Sequence, residues 1–399
     1  MSIFGDLAVR LDPWQVDYGA ELQLDEADDP DQDETVAIDV ELAPEEWRPI
    51  SPGNTAPPAH LIFVDGVRRI EARLIIRQHG RVYHGAFGSH AVGAVRVTGG
   101  AASCAAPRVG RLIVIGSGNT LDGPIVVAPG LNCEPVGTFD TDPDAPLRTI
   151  QESMRIAEER LGKELADSED TLVVADGPLT FEEASRGAVL GYIKRIFKLY
   201  LPRERLDLLV RLAAGERTPI FALRSSRRFV RFSWFLRLAP PQPGDSELAG
   251  IARLEVSETV GTEVARALAD ASTALLPRFA PGRWSPQNLL PIGALEASLR
   301  RHLGDGRLIR RYIETLIAGE APVAETRTGS ENVNSLGRAT DAIGQMPELR
   351  AEGLILGSQD ATPLEFWVGV LRGRRRRRKI HRRVSLIPDA RRRPFACDR

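Results

Sequence analysis

Apolar residues first recur in short runs and alternations, and later at three- and four-residue steps. His60–Asp65 (HLIFVD) is an apolar run that ends in an acid, and after Gly66 the segment Ile70–Arg77 (IEARLIIR) alternates. Such segments, bounded by glycine, predict short strands of a hairpin-rich sheet. From Pro146 to Ala166 the apolar positions instead follow the period of an amphipathic helix.

Strand-like and helix-like patterns then succeed one another along the chain. Thr171–Ala175 (TLVVA) predicts a buried strand that ends at Asp176. Further strands are predicted at Pro219–Leu223, Phe229–Leu238 and Gly250–Val256, and helices at Arg203–Ala214, Thr262–Leu276, Ile292–Leu303 and Arg307–Ile317. This order favours an α/β fold with a mixed sheet flanked by helices.

Composition narrows the class of protein. The chain has 399 residues, of which 43% are hydrophobic and 27% charged, as in globular proteins. Its three cysteines form no CxxC pair, which argues against a zinc ribbon or a disulfide framework and favours a reducing cytoplasm. No run approaches the roughly 18 apolar residues of a membrane helix. We therefore expect a cytoplasmic protein with no membrane partner.

The net charge of −2 conceals an asymmetry between the body and the end of the chain. Residues 371–399 hold 13 Lys and Arg against 2 Asp and Glu, which leaves 39 basic and 52 acidic residues in 1–370. An acidic body argues against a passive DNA-binding protein, which would carry a positive face. It is compatible with an enzyme that gathers carboxylates around metal ions.

Two copies of one local pattern carry the candidate chemistry. Asp65 in FVDG and Asp176 in VADG each follow an apolar strand and precede a glycine, although Asp-Gly is also a common turn dipeptide. Glu158 lies in the helix before the second strand, and such a helix can point an acid at the strand's end. Spacing alone does not separate Glu158 from its neighbour Glu159. Three converging carboxylates would suit Mg²⁺ or Mn²⁺ and phosphodiester cleavage.

Other charged residues are candidates for the same site. Lys194 follows the second Asp strand in an apolar segment, where it would contact a phosphate or cover core surface. Glu71 is either a fourth acid or an exposed strand residue. Five arginines around one predicted strand are candidates for a DNA backbone track: Arg224, Arg227, Arg228, Arg231 and Arg237.

The chain from about Leu61 to Ile317 resembles the NurA nuclease family. The resemblance rests on the order of six motifs: FVDG around Asp65, the Arg155/Glu158 helix pair, LVVADGPL around Asp176, GYIKR to YLP over Gly191–Pro202, FSWFLRLA from Phe232, and PQNLLPIGALEASLRRHLGD from Pro286. It implies an RNase H-like core in which Asp65, Glu158 and Asp176 hold Mn²⁺, whereas the residues alone would suit Mg²⁺ equally; Lys194 stays a catalytic candidate on its position after the second Asp strand. Some family members carry a late Tyr and His; the Pro286–Asp305 segment has no Tyr, and the role of His302 stays open.

The same resemblance implies a biological setting. Family members are homodimers that degrade DNA as 5′–3′ exonucleases and single-strand endonucleases. They act with a HerA-type hexameric ATPase in end resection and double-strand break repair. The alternative is a catalytically weak dimeric adaptor that loads DNA into the ATPase ring, and a third option is an RNA nuclease on the same core.

The expected organisation has five parts. They are an acidic N-terminal extension (1–58), the NurA-like nuclease domain (59–318), a linker (319–352), a segment resembling the first barrel strands of a HerA-type ATPase (353–370), and a basic tail (371–399). The last two parts indicate either a reading frame that has run into a neighbouring gene and lost register, or a fused recruitment segment with a DNA-binding arm. No P-loop accompanies the barrel-like segment.

Overall fold

A mixed sheet forms the centre of the computed structural model, which describes residues 3–12, 34–53, 58–167, 170–179, 188–196, 198–225, 229–281 and 285–319. The strands are β1 (Ala8–Leu11), β2 (Thr35–Ala37), β3 (His60–Gln78), β4 (Arg81–Thr98), β5 (Ala101–Cys104), β6 (Arg108–Ile115), β7 (Ile125–Ala128), β8 (Leu131–Gly137), β9 (Thr171–Asp176), β10 (Ala188–Ile193), β11 (Phe221–Arg224), β12 (Arg231–Arg237) and β13 (Ile251–Ser257). The helices are α1 (Ala145–Ala166), α2 (Arg203–Arg211), α3 (Thr262–Leu275), α4 (Leu290–His302) and α5 (Gly306–Gly319).

The strand order is β2-β11-β12-β13-β10-β9-β3-β4-β6-β8-β7, with β1 added beside β3 and β5 beside β4. Within it, β3, β9 and β10 are parallel neighbours, whereas β4 runs antiparallel to both β3 and β6. The block β6-β4-β3-β9-β10, with α1 placed before β9, has the strand order and directions of an RNase H-like core. The predicted α/β class with a mixed sheet flanked by helices is confirmed.

Side chains alternate between the two faces of this block, as they must along a strand. Ile62, Val64 and Val173 pack against Met154 and Leu161 of α1. The strand residues Leu61, Phe63 and Val174 point to the opposite face. There they form a second apolar layer with Ala265 and Ala269 of α3 and Ile292 of α4. Each catalytic candidate on a strand therefore faces a defined helix layer.

Strand β3 corrects one sequence prediction. Asp65-Gly66 does not end a strand, because β3 runs on through Gly66 for nineteen residues in all and stays paired with β4 apart from one irregularity between Ile70 and Ala72. Gly66 provides space rather than a turn: a Cβ there would lie 3.0 Å from Cγ of Met154. The predicted strands His60–Asp65 and Ile70–Arg77 are thus one strand.

Segments of the predicted N-terminal extension contribute to the sheet and its core. Strand β1 pairs with the far half of β3, β2 pairs with β11, and the Trp47 side chain is buried against the layer around α2. Residues 320–399, which include the barrel-like segment and the basic tail, lie outside the described residues. None of the helices described is both long and apolar enough to cross a membrane.

Candidate active site

Asp65 and Asp176 lie side by side on neighbouring parallel strands. Val64 of β3 is in register with Ala175 of β9, so the next residue on each strand is an aspartate. Alternation places both side chains on the face covered by α3 and α4. Asp65 is only 6% exposed, and its Oδ1 accepts a hydrogen bond of 2.8 Å from the Gly66 amide. Asp176 does end its strand, as predicted.

Lys194 reaches the same place from the third parallel strand. Tyr192 of β10 is in register with Asp176, and Lys194 follows two residues later on the same face. Its Nζ donates to Oδ2 of Asp176 at 2.6 Å. Burial lowers the pKa of Lys194, but the Asp176 carboxylate, with help from Asp65, outweighs burial and leaves that pKa raised. The side chain is therefore a stable ammonium beside the two carboxylates.

Glu158 approaches from α1. Met154 packs where a Gly66 side chain would be, and Glu158 lies one helical turn later on the same helix face. Burial and the nearby Asp176 carboxylate raise the pKa of Glu158 to about 8, against the opposing charges of Arg155 and Lys194. Among the described residues, its buried Oε1 has no hydrogen-bond partner.

The neighbouring acid Glu159 takes a different role. Its carboxylate binds Nζ of Lys163 one turn along α1, at 2.6 Å. Of the two adjacent glutamates that spacing could not separate, Glu158 is the one that is buried within the electrostatic influence of Asp176. The choice follows from where α1 meets β3.

The carboxylates restrain each other's ionisation. Burial raises the pKa of Asp65 well above its ordinary value, the charges of Asp176 and Glu158 raise it further, and Lys194 opposes them. One ammonium does not compensate three carboxylates. A cluster of this kind holds protons at neutral pH unless further positive charge arrives, and such perturbed groups are concentrated at functional sites.

Two residues at the site were missed by sequence reasoning. Tyr192 is fully buried and donates its hydroxyl proton to the Gln287 carbonyl oxygen; burial and the Asp176 charge raise its pKa. Glu296 of α4 contributes negative charge that raises the pKa values of both Asp65 and Lys194.

Glu296 had one signal in the sequence, its place in the Pro286–Asp305 motif. Its neighbours on α4, Leu295 and Leu299, lie over Gly93, which is the β4 partner of Asp65. That register exists only in the folded protein, so the motif alone could not show which of its residues reaches Asp65.

The structure does not bring the remaining candidates to the site. Glu71 is buried and pairs with Arg69 at 2.9 Å, so it is neither an exposed strand residue nor a fourth acid beside Asp65. His302 is exposed at the end of α4, where Nδ1 lies 2.9 Å from the Ser298 carbonyl oxygen.

The predicted arginine track is wrong for two of its members. Arg231 is 2% exposed and forms ion pairs with Glu34 and Glu255. Arg237 is 1% exposed and donates to main-chain carbonyl oxygens of Leu209, Glu247 and Ala249. These guanidinium groups hold the sheet and its loops together instead of facing DNA. Arg224 is exposed, and Arg227 and Arg228 lie outside the described residues.

The carboxylates of Asp65, Glu158 and Asp176 are the type of ligand that a hard divalent cation requires, and they lie in one region of the fold. Carboxylate oxygens are the ligands that Mg²⁺ and Mn²⁺ prefer, and the unpartnered Glu158 oxygen has an unused lone pair. Among the residues described, however, no group of three His, Cys, Asp or Glu side chains is already arranged to hold a metal ion. A cation would therefore require these carboxylates to turn toward it.

Comparison with known proteins gives a weak structural likeness. No protein-family profile matches the chain, and no curated protein matches it. A solved structure similar to it is that of the NurA nuclease from Sulfolobus solfataricus, with a TM-score of 0.37 and 10% sequence identity over 76% of this chain and 94% of that one. At that level of similarity, function has to be argued from the site itself.

Proposed function

We propose that the protein is a metal-dependent nuclease that hydrolyses DNA at Asp65, Glu158 and Asp176. The supporting observation is that acids from β3, α1 and β9 lie close enough to influence one another's ionisation, beside the Lys194 ammonium that binds Asp176 at the end of β9. Clustered, buried like charges are costly, and a scaffold has no evident use for them. Hydrolysis of a phosphodiester with the help of a cation has a direct use for them.

Each residue has a distinct task in this proposal. Asp65, Glu158 and Asp176 are the ligands for Mn²⁺ or Mg²⁺, which when bound supplies an activated water and stabilises negative charge on the leaving oxygen. Lys194 holds Asp176 in position and offers its ammonium protons to a phosphate oxygen. The Gly66 amide donates to Oδ1 of the Asp65 carboxylate and so limits how far this ligand turns when a cation binds.

The motifs described in the sequence extend the proposal to a biological role. Their resemblance to the NurA family leads us to propose a cytoplasmic homodimer that resects DNA ends in double-strand break repair beside a HerA-type hexameric ATPase. A monomer at micromolar concentration in a light-scattering measurement would contradict the dimer. Failure of the two purified proteins to co-elute would count against the ATPase partnership.

The direct test is cleavage of end-labelled linear DNA by the full chain with Mn²⁺, with Mg²⁺ and with EDTA. Glu158→Gln should lower the cleavage rate at least about 100-fold, the scale lost when one stabilising group of an active site is removed. Glu159→Gln is the matched control, because it makes the same change one residue away in a group that binds Lys163. Equal rates for the two variants would contradict the assignment. Labelled RNA in parallel decides between DNA and RNA as substrate.

The second candidate is a DNA-loading adaptor. It is favoured by one observation: the described acids do not form a finished metal-ligand group. An adaptor would bind DNA and a hexameric ATPase, yet a folded chain would leave DNA intact with every cation and with the ATPase added. Cleavage that disappears in Asp65→Asn and Asp176→Asn would eliminate this reading.

A further inference from the structure

An exposed basic surface lies on α4 and α5, beyond the acidic site. Five arginines occur within residues 300–311. Arg300 pairs with Glu296 and Arg310 with Glu314, both within one helical turn. The other three are Arg301, Arg307 and Arg311; they are exposed, and their guanidinium groups make no ion pair with any residue the structure describes.

Apolar side chains accompany these free arginines. Ile309, Ile313 and Ile317 of α5 are buried against the sheet, whereas Leu308 and Tyr312 are 45% and 39% exposed. Positions four apart share a helix face, so Leu308 and Tyr312 form one exposed row and Arg307 and Arg311 the row beside it. Two like charges at this spacing repel, and a bound anion would relieve the repulsion. We call Arg301, Arg307, Leu308, Arg311 and Tyr312 together the α4–α5 face.

The corner between the helices is fixed to the sheet. Arg69 of β3 donates to the carbonyl oxygens of Leu303 and Gly304 at 3.1 and 2.9 Å, and Arg111 of β6 donates to Leu303 at 3.2 Å. Asp305 accepts the Arg307 amide at 2.8 Å and so caps the start of α5. The face is therefore held in a constant position relative to Asp65, which lies four residues before Arg69 on the same strand.

The spacing between site and face suits a single nucleic-acid strand. Leu299 of α4 lies over Gly93, the β4 partner of Asp65, and Arg301 follows two residues later at about 1.5 Å per residue. Successive phosphates of one DNA strand are about 3.4 Å apart along a duplex. A strand cut at the acids would therefore reach the first arginine within a few nucleotides.

We propose that the α4–α5 face binds the DNA strand that enters or leaves the acidic site. The arginines contact phosphates, and Tyr312, with Leu308 beside it, stacks on an unpaired base. An acidic body needs a local basic route if a polyanion is to approach buried carboxylates, and residues 1–370 carry 52 acidic against 39 basic side chains. The inference rests on the proposed nuclease function for the identity of the ligand.

Binding is tested with the full chain in EDTA, using fluorescence anisotropy of labelled oligothymidylate of about 20 nucleotides, longer than one such site covers. Arg307→Gln combined with Arg311→Gln should reduce the slope of log K against log salt by about 1.4, because each phosphate contact to a single strand contributes about 0.7. Tyr312→Ala should weaken binding about 5-fold or more through lost stacking, and Tyr312→Phe should not.

The matched control is Arg310→Gln beside Arg311→Gln. Both remove one arginine from α5, but Arg310 is bound to Glu314 and lies outside the face. Equal binding by these two single variants overturns the inference. The inference is also overturned if a variant alters the oligomeric state of the protein in solution while its DNA binding stays at the wild-type level. The face would then be a protein–protein interface.

Cleavage separates failure of this inference from failure of the nuclease proposal. With Mn²⁺, the double arginine variant should show a raised KM on the long strand, whereas a dinucleotide is too short to reach the face and should be cut by wild type and variant alike. If wild type and variant cut both substrates equally well, the role of the α4–α5 face is refuted and the nuclease proposal stands. If wild type cuts neither substrate but the variants bind DNA more weakly than wild type, the nuclease proposal is refuted and the role of the face stands.

Discussion

Replacing Glu158 by glutamine should stabilise the metal-free protein at alkaline pH while it abolishes cleavage. Folding raises the pKa of Glu158 from 4.5 to about 8 through burial and the Asp176 charge. In that window the folded chain keeps a proton that the unfolded chain has lost. The contribution to stability is therefore full below about pH 4.5, declines as pH rises, and is lost above about pH 8.

The magnitude follows from the size of the window. At about 1.4 kcal/mol per pKa unit, a rise from 4.5 to about 8 sets an upper limit near 5 kcal/mol. The three carboxylates share this cost, so we expect Glu158→Gln to gain about 2–4 kcal/mol over wild type between about pH 5 and about pH 9.

The assay is urea unfolding in EDTA at both pH values, compared with Glu159→Gln. That control loses an ion pair with Lys163 within one helical turn, and we expect its free energy of unfolding to fall by about 0.3–0.5 kcal/mol at either pH. Manganese should restore wild-type stability at alkaline pH, by about 2.7 kcal/mol at 100 times its dissociation constant. A stability difference between Glu158→Gln and wild type that does not change with pH would refute the reasoning.

Three other changes test the site and the packing of the fold around it. Lys194→Met removes the cation that binds Asp176 and should lower the free energy of unfolding at neutral pH by about 1–3 kcal/mol. In urea unfolding, this loss should shrink as pH falls, because the acids become protonated. Gly88→Ala places a Cβ 2.5 Å from an α1 isoleucine; we expect about 1–3 kcal/mol of destabilisation and slower cleavage, whereas Gly123→Ala, which has open space, should be silent in both assays. Arg217→Met leaves two carboxylates without their buried partner and should cost about 3–5 kcal/mol in thermal or urea unfolding, without altering the affinity of the remaining folded protein for DNA.

Hydrophobic periodicity was sufficient to locate the secondary-structure elements that build the site. Helix α1 and strand β9 begin within a residue of their predicted starts, because their apolar positions are regular. The Asp-Gly pair at Asp65 led to a wrong prediction of a strand end. In other proteins this dipeptide often ends a strand, but at Asp65 its glycine gives α1 room to approach β3. Local sequence cannot distinguish a glycine needed for a turn from one needed for space.

The charged residues were harder to place than the apolar ones. Arg231 was expected on a DNA surface, but its partners Glu34 and Glu255 are distant in sequence and meet it only in the folded sheet. Glu296 was overlooked for the same reason, because its approach to Asp65 depends on how α4 crosses β3 and β4. Pairings of this kind are properties of the tertiary structure, and single-sequence patterns do not contain them.

Strand β1 has a practical consequence for work with shortened chains. It is the strand that covers Leu74–Arg77 at the far end of β3, and β9 covers only the near end, up to Val64. Removing the first eleven residues would uncover main-chain donors and acceptors along a strand whose side chains belong to the core. Bare strand edges recruit other chains, so such a protein would tend to form mixed aggregates or new dimers. The association state of a shortened chain would then reflect the exposed edge and not the native protein.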